Sequence, residues 1–151
     1  MASISGPEFR QLTYKKIRTV KHLIKIKEWS LAAYIMGYVL ECALKAASCK
    51  ALHLKEYPPI KSKGDEGWGF KTHEFEQLLI VSGLIDLFGS LGISAPYSNW
   101  SAFTSSFPGN WTSMRYSETD KFDENSVKKL SQNLYDDPNS IIETIKRNRR
   151  W

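Results

Sequence analysis

The stretch that decides the fold reads Ala33-Tyr34-Ile35-Met36-Gly37-Tyr38-Val39-Leu40-Glu41-Cys42-Ala43-Leu44-Lys45-Ala46. At helical spacing Ala33, Met36, Leu40, Ala43, Leu44 and Ala47 form one apolar face, and Ile35, Val39, Cys42 and Ala46 carry that face most of the way round. A helix apolar on nearly every side belongs at the centre of a bundle, so the spacing predicts a central helix from about Ser30 to Lys50. Its one polar line is Tyr34, Tyr38, Glu41 and Lys45, spaced 4, 3 and 4 residues apart, which stacks the four side chains on a single edge. Glu41 and Lys45 are an i,i+4 pair in the favourable order.

Upstream, a first helix is expected over Pro7 to Lys27. Proline suits a first helical turn, where its missing N–H has no partner to lose. Phe9, Leu12, Val20, Leu23 and Ile24 share one face; Arg10, Lys15, Arg18, Lys21 and Lys25 share the other, which is either a solvated surface or a surface for phosphate. Downstream, Tyr57-Pro58-Pro59 stops any helix. The stretch from Lys61 to Gly69 reads as a mobile loop whose acidic Gly64-Asp65-Glu66-Gly67 run would repel phosphate. A third helix is expected from Thr72 as N-cap to Gly83 as C-terminal cap, with a short helix over Leu84 to Leu91. The residues from Ser94 to Tyr116 read as irregular, but Tyr97, Trp100, Phe103, Phe107, Trp111 and Tyr116 are too many aromatics for a solvated loop. A last helix begins near Asp123. Val127, Leu130, Leu134, Ile141, Ile142 and Ile145 keep one register, which favours one long helix kinked at Pro138 over a separate final helix capped by Asp137. The basic run Lys146 to Arg150 is expected to fray.

Strand-like alternation is nearly absent, and there is no internal repeat or low-complexity tract. The expectation is therefore an all-α, up-and-down bundle of four to five helices in one domain spanning residues 1–151. The length of 151 residues, with 42% hydrophobic and 13% aromatic residues, supports a packed core without staples. No run of about 18 consecutive apolar residues occurs and Met1 to Pro7 lacks an apolar leader core, so a cytoplasmic location without a membrane span is expected. Cys42 and Cys49, seven residues apart, sit about two turns from each other, roughly 10 Å. That is too far for a disulfide within one helix, and no Cys or His at ligand spacing joins them, so they read as small buried apolar residues rather than a zinc site. The formal charge of +5 suits an anionic partner. P-loop, dinucleotide-binding and nucleophile-elbow motifs are absent; no cofactor or metal is expected.

The 33–46 stretch resembles the helix of HEPN domains that carries Ala-Tyr, then Gly-Tyr-x-x-Glu-x-x-Leu-Lys. Two later elements are similar to the same family: Thr72-His73-Glu74-Phe75-Glu76-Gln77-Leu78-Leu79, ending at Ser82-Gly83-Leu84, and Trp111-Thr112-Ser113-Met114-Arg115-Tyr116. All three occur in the family's order, and the resemblance covers about residues 8 to 148. It implies a helical bundle that is usually dimeric, in toxin–antitoxin, abortive-infection and CRISPR-linked systems or beside a minimal nucleotidyltransferase. It also implies binding or cutting of RNA, or binding of nucleotides. Nuclease members carry Arg, about four to six residues, then His, where Arg orients phosphate and His is the acid/base. Here Arg115 has no following His; His22, His53 and His73 all precede it, and Arg18 with His22 has the wrong spacing and place.

The sequence therefore points to a non-catalytic HEPN-type module for a nucleotide or RNA, in a prokaryotic multi-component system. The expected site is Tyr34, Tyr38, Glu41 and Lys45, and the resemblance implies that His73, Trp111, Arg115 and Tyr116 border it. Arg115 is the expected partner of Glu41, because its planar fork matches a carboxylate. Three alternatives stand beside this reading: a purely structural network at the same residues, an RNase in which Arg115 and His73 meet in space, and a dimerisation partner of a nucleotidyltransferase.

Overall fold

A computed structural model describes residues 4–57, 72–89, 94–116 and 121–151. The chain is an all-helical bundle. In order it runs β1 (Ile4–Ser5), α1 (Gly6–Lys25), α2 (Trp29–Ala51), β2 (Glu56–Tyr57), α3 (Phe75–Ser82), α4 (Ile85–Gly89), α5 (Ala95–Thr104), a 3-10 turn (Trp111–Tyr116), α6 (Glu124–Ser131), a π-helical turn (Gln132–Asp136) and α7 (Ile141–Arg149). The two strands pair antiparallel, Ile4 with Tyr57 and Ser5 with Glu56, and tie the start of α1 to the segment after α2. The loop expected over 61–69 lies outside the described residues.

The helix α1 starts at a capping box: the Ser5 hydroxyl accepts from Glu8 N at 3.3 Å, and the Glu8 carboxylate accepts from Ser5 N at 2.8 Å. A tight turn with Lys27 in the left-handed region (φ 64°) reverses the chain into α2. There α2 takes the central place its sequence demands. It packs against α1, α3, α6, α7 and the 3-10 turn, and Met36, Val39, Leu40, Ala43 and Leu44 have no exposed surface. By length and mean hydropathy α2 is long and apolar enough to cross a membrane, but 67% of that apolar window is buried inside the bundle, so core packing accounts for its composition. Both cysteines are free and buried. Cys49 sits where Gly6 crosses α2; a Cβ on Gly6 would come within 2.9 Å of the Cys49 Cβ, so a small residue on each helix permits the crossing.

Four expectations are corrected. First, α3 begins at Phe75 rather than Thr72; the Thr72 hydroxyl accepts from Glu74 N at 3.0 Å in a local turn before the helix, while Gly83 does close it in the left-handed conformation (φ 71°). Second, the 94–116 segment is irregular only over 105–110: Ser94 caps α5 through Tyr97 N, and Trp100 and Phe103 bury its inner face. Third, the helix after Asp123 is broken rather than kinked. Asp137 is extended (ψ 143°), as a residue before proline is steered to be, and α7 starts afresh with Ser140 rather than Asp137 as its cap. Fourth, the basic run is held in place. Arg149 Nη2 donates to the Ser82 carbonyl at 2.7 Å, Lys50 Nζ donates to the Arg150 carbonyl at 3.2 Å, and the Trp151 ring meets Tyr14 edge-on at 6.2 Å.

Candidate functional site

The polar line of α2 lies where α1, the residues before α3, and the 3-10 turn converge. At its inner end Glu41 is 5% exposed. Its Oε1 accepts from Lys45 Nζ at 2.6 Å, and both carboxylate oxygens lie 3.0 Å from His73 Nδ1. A buried carboxylate is costly without partners, and these two supply short, charge-assisted bonds. The side chain of Lys45 is only 15% exposed, whereas that of His73 is 60% exposed. With Glu41 ionised, the His73 proton lies on Nδ1, which leaves Nε2 as the acceptor of the neutral ring.

One turn towards the N-terminus of α2, the Tyr34 and Tyr38 hydroxyls are 3.0 Å apart. Their rings meet edge-on at 5.2 Å, and Tyr38 meets Trp111 edge-on at 4.8 Å. Trp111 is 2% exposed and stacks on Phe75 at 5.3 Å. Its indole N–H donates to the His73 carbonyl at 2.7 Å, which ties the 3-10 turn to the residues before α3. Trp111 is therefore the floor of the site and not a contact surface. Burial, then the hydrogen bond to Tyr34, pushes the Tyr38 hydroxyl up to about 12.

The expected Glu41–Arg115 pair does not form. Arg115 is exposed and lays its guanidinium 4.8 Å from the centre of the Tyr116 ring, which is itself 74% exposed. The reason is reach: Lys45 is one turn from Glu41 on the same helix, and His73 arrives from the residues preceding α3, so both acceptor oxygens are already engaged. Arg115 still lies close enough to act electrostatically on Tyr38. A cation absent from the sequence reading completes the cluster: Lys16 of α1 holds its ammonium 5.4 Å from the centre of the Tyr38 ring. Lys16 is half-buried beside the inward line Phe9, Thr13, Ile17, Val20 and Leu23 of α1.

The arrangement thus sets three cations, Lys16, Lys45 and Arg115, against one carboxylate. Among the described residues only Lys45 of the three has a carboxylate within ion-pair distance. Also among the described residues, no three His, Cys, Asp or Glu side chains converge on one point as metal ligands. One cleft of about 640 Å³ is lined by Ser30, Phe107, Met114, Phe122 and Leu130, and another of about 760 Å³ by Ile4, Glu8, Leu12, Tyr14 and Arg18. Tyr34 and Tyr38 are half-buried and, among the described residues, line neither of these clefts. No protein-family model, curated protein or solved structure matches this chain.

Proposed function

We propose that this chain is a non-catalytic HEPN-type module that binds a nucleotide or an RNA segment along the Tyr34–Tyr38 edge. The observation that carries this reading is the cation excess near the two half-buried tyrosines: Lys16 lies over the Tyr38 ring, Arg115 acts on Tyr38 electrostatically from its place on Tyr116, and neither has a carboxylate within ion-pair distance among the described residues. Phosphate would meet Lys16 and Arg115. A base would lie against Tyr34 or the exposed Arg115–Tyr116 stack, since aromatic and guanidinium planes accept any base face. Glu41 and Lys45 neutralise each other and hold His73 at the border. By the resemblance given above, the module works as a homodimer in a cytoplasmic multi-component system of the defence or toxin–antitoxin kind, with a nucleotidyltransferase or another operon product as partner. Isothermal titration with a panel of mononucleotides tests the site. Lys16→Ala is expected to weaken binding about tenfold, the loss of one charge-assisted contact, with the melting temperature unchanged. Light scattering at tens of micromolar tests the dimer, and a monomeric mass counts against it.

A second reading has one observation in its favour. A buried carboxylate that fixes Nδ1 of a mostly exposed imidazole is an arrangement that orients a general acid/base. On that reading the chain is an RNase with a departed HEPN site centred on His73. Cleavage of RNA by the purified protein, abolished in His73→Ala, would establish it in place of the binding module.

A further inference from the structure

The opposite flank of α1 carries a second basic surface that the Tyr34–Tyr38 site does not use. Arg10, Tyr14, Arg18, Lys21 and Lys25 are spaced 4, 4, 3 and 4 residues apart, so they form one line along the helix. From Arg10 to Lys25 that line is about 22 Å long at 1.5 Å per residue. Lys16 points from α1 towards Tyr38; this line instead faces the C-terminal elements. The Trp151 ring meets Tyr14 edge-on at 6.2 Å, and Lys21 holds its ammonium 5.5 Å from the centre of the Tyr135 ring in the π-helical turn. The Lys50–Arg150 bond fixes the chain just before Trp151, and Arg10, Lys50 and Trp151 line one shallow cleft of about 190 Å³. Tyr14, Tyr135 and Trp151 are all half-buried: held by packing, yet each keeps an exposed part. Carboxylates at the border are Glu8, committed to Ser5 in the capping box, and Asp136 beside Tyr135.

We infer that this line is a docking track for a single-stranded RNA backbone, separate from the Tyr34–Tyr38 edge. Two features select that occupant. A row of cations about 22 Å long matches a chain of phosphates better than one small anion. Aromatics alternating with those cations give successive bases something to stack on, which a duplex or an anionic lipid surface does not use. Trp151, whose ring meets Tyr14 of α1 while Lys50 of α2 holds the Arg150 carbonyl, adds an aromatic to the track.

Fluorescence anisotropy with a fluorescein-labelled twelve-nucleotide oligouridylate, titrated at several salt concentrations, tests the inference. The expected result is salt-dependent binding that Arg10→Ala/Arg18→Ala weakens about tenfold at low salt, with the log–log salt slope reduced by about 2, one per lost phosphate contact. Arg18→Ala/Lys21→Ala should act in the same direction, and circular dichroism should show both variants folded. Lys128→Ala, an exposed lysine on α6, should leave this affinity within about twofold, and the α1 variants should leave mononucleotide binding unchanged, so failure of the nucleotide site and failure of the track remain distinguishable. Three results would each overturn the inference: no oligonucleotide binding, an affinity that the α1 variants do not change, or equal affinity for a duplex or phosphatidylserine vesicles.

Discussion

The Trp111 indole lies flat on the backbone of α2 at Gly37: a Cβ built on Gly37 would meet Cε3 and Cζ3 of Trp111 at 2.5 Å. Gly37 therefore earns its place through absence of a side chain rather than through an unusual backbone angle. The close approach lets Trp111 reach Tyr38, Phe75 and the His73 carbonyl together, and so fixes three elements around the polar line.

Gly37→Ala sets two effects against each other. Alanine is better than glycine inside a helix by about 1 kcal/mol. Overpacking a tight interior contact costs about 1–3 kcal/mol, and a buried indole stacked on Phe75 has little room to retreat. Overpacking should win, so chemical denaturation should show a net loss of about 1–2 kcal/mol, with altered tryptophan fluorescence in the folded baseline.

The two bonds to Glu41 should be unequal in worth. Glu41→Ala strands the nearly enclosed Lys45 ammonium and should cost about 3–5 kcal/mol, as for one partner of a buried pair. His73→Ala removes a side chain that is 60% exposed, and should cost under about 1 kcal/mol. Urea unfolding of both variants measures this; equal losses would mean that His73, not Lys45, neutralises Glu41.

Stability should decline in alkali. Burial pushes the Cys42 thiol up to about 11 from its usual 9, and burial together with Tyr34 pushes Tyr38 up to about 12 from 10. The folded chain thus holds protons that the unfolded chain releases, and the unfolding free energy falls as pH rises. The cysteine contribution is intact below pH 9 and lost through about 11; the tyrosine contribution is intact below pH 10 and lost through about 12. Denaturation midpoints at pH 8, 10 and 11 should fall in that order, and Cys42→Ala should flatten the part between pH 9 and 11.

The central helix and its polar line were legible in the sequence because they are local. A period of 3.6 places Tyr34, Tyr38, Glu41 and Lys45 on one edge whatever packs against it. The partners of that edge were less legible. Arg115 is the better geometric match for a carboxylate, but Lys45 is nearer along the helix, and spacing within one element does not reveal what a distant loop delivers. Lys16 was hidden for the same reason: its partner Tyr38 lies on another helix. The helix α5 escaped notice because Pro96, Ser98, Asn99 and Ser101 are weak helix formers; burial of Trp100 and Phe103 against the bundle overrides them. The break at Asp137 was masked by isoleucines that happen to resume the earlier register.

The most direct test of the nucleotide site is photo-crosslinking with an azido-substituted adenine nucleotide, followed by sequencing of the labelled residue. Saturable labelling at Tyr34, Tyr38, His73 or Tyr116, competed by unlabelled nucleotide and reduced in Lys16→Ala, is the expected result. Trp111 should stay unlabelled, because it is enclosed. Labelling that does not saturate, or that falls only on the α1 line of Arg10, Tyr14 and Arg18, would contradict a nucleotide site at the Tyr34–Tyr38 edge.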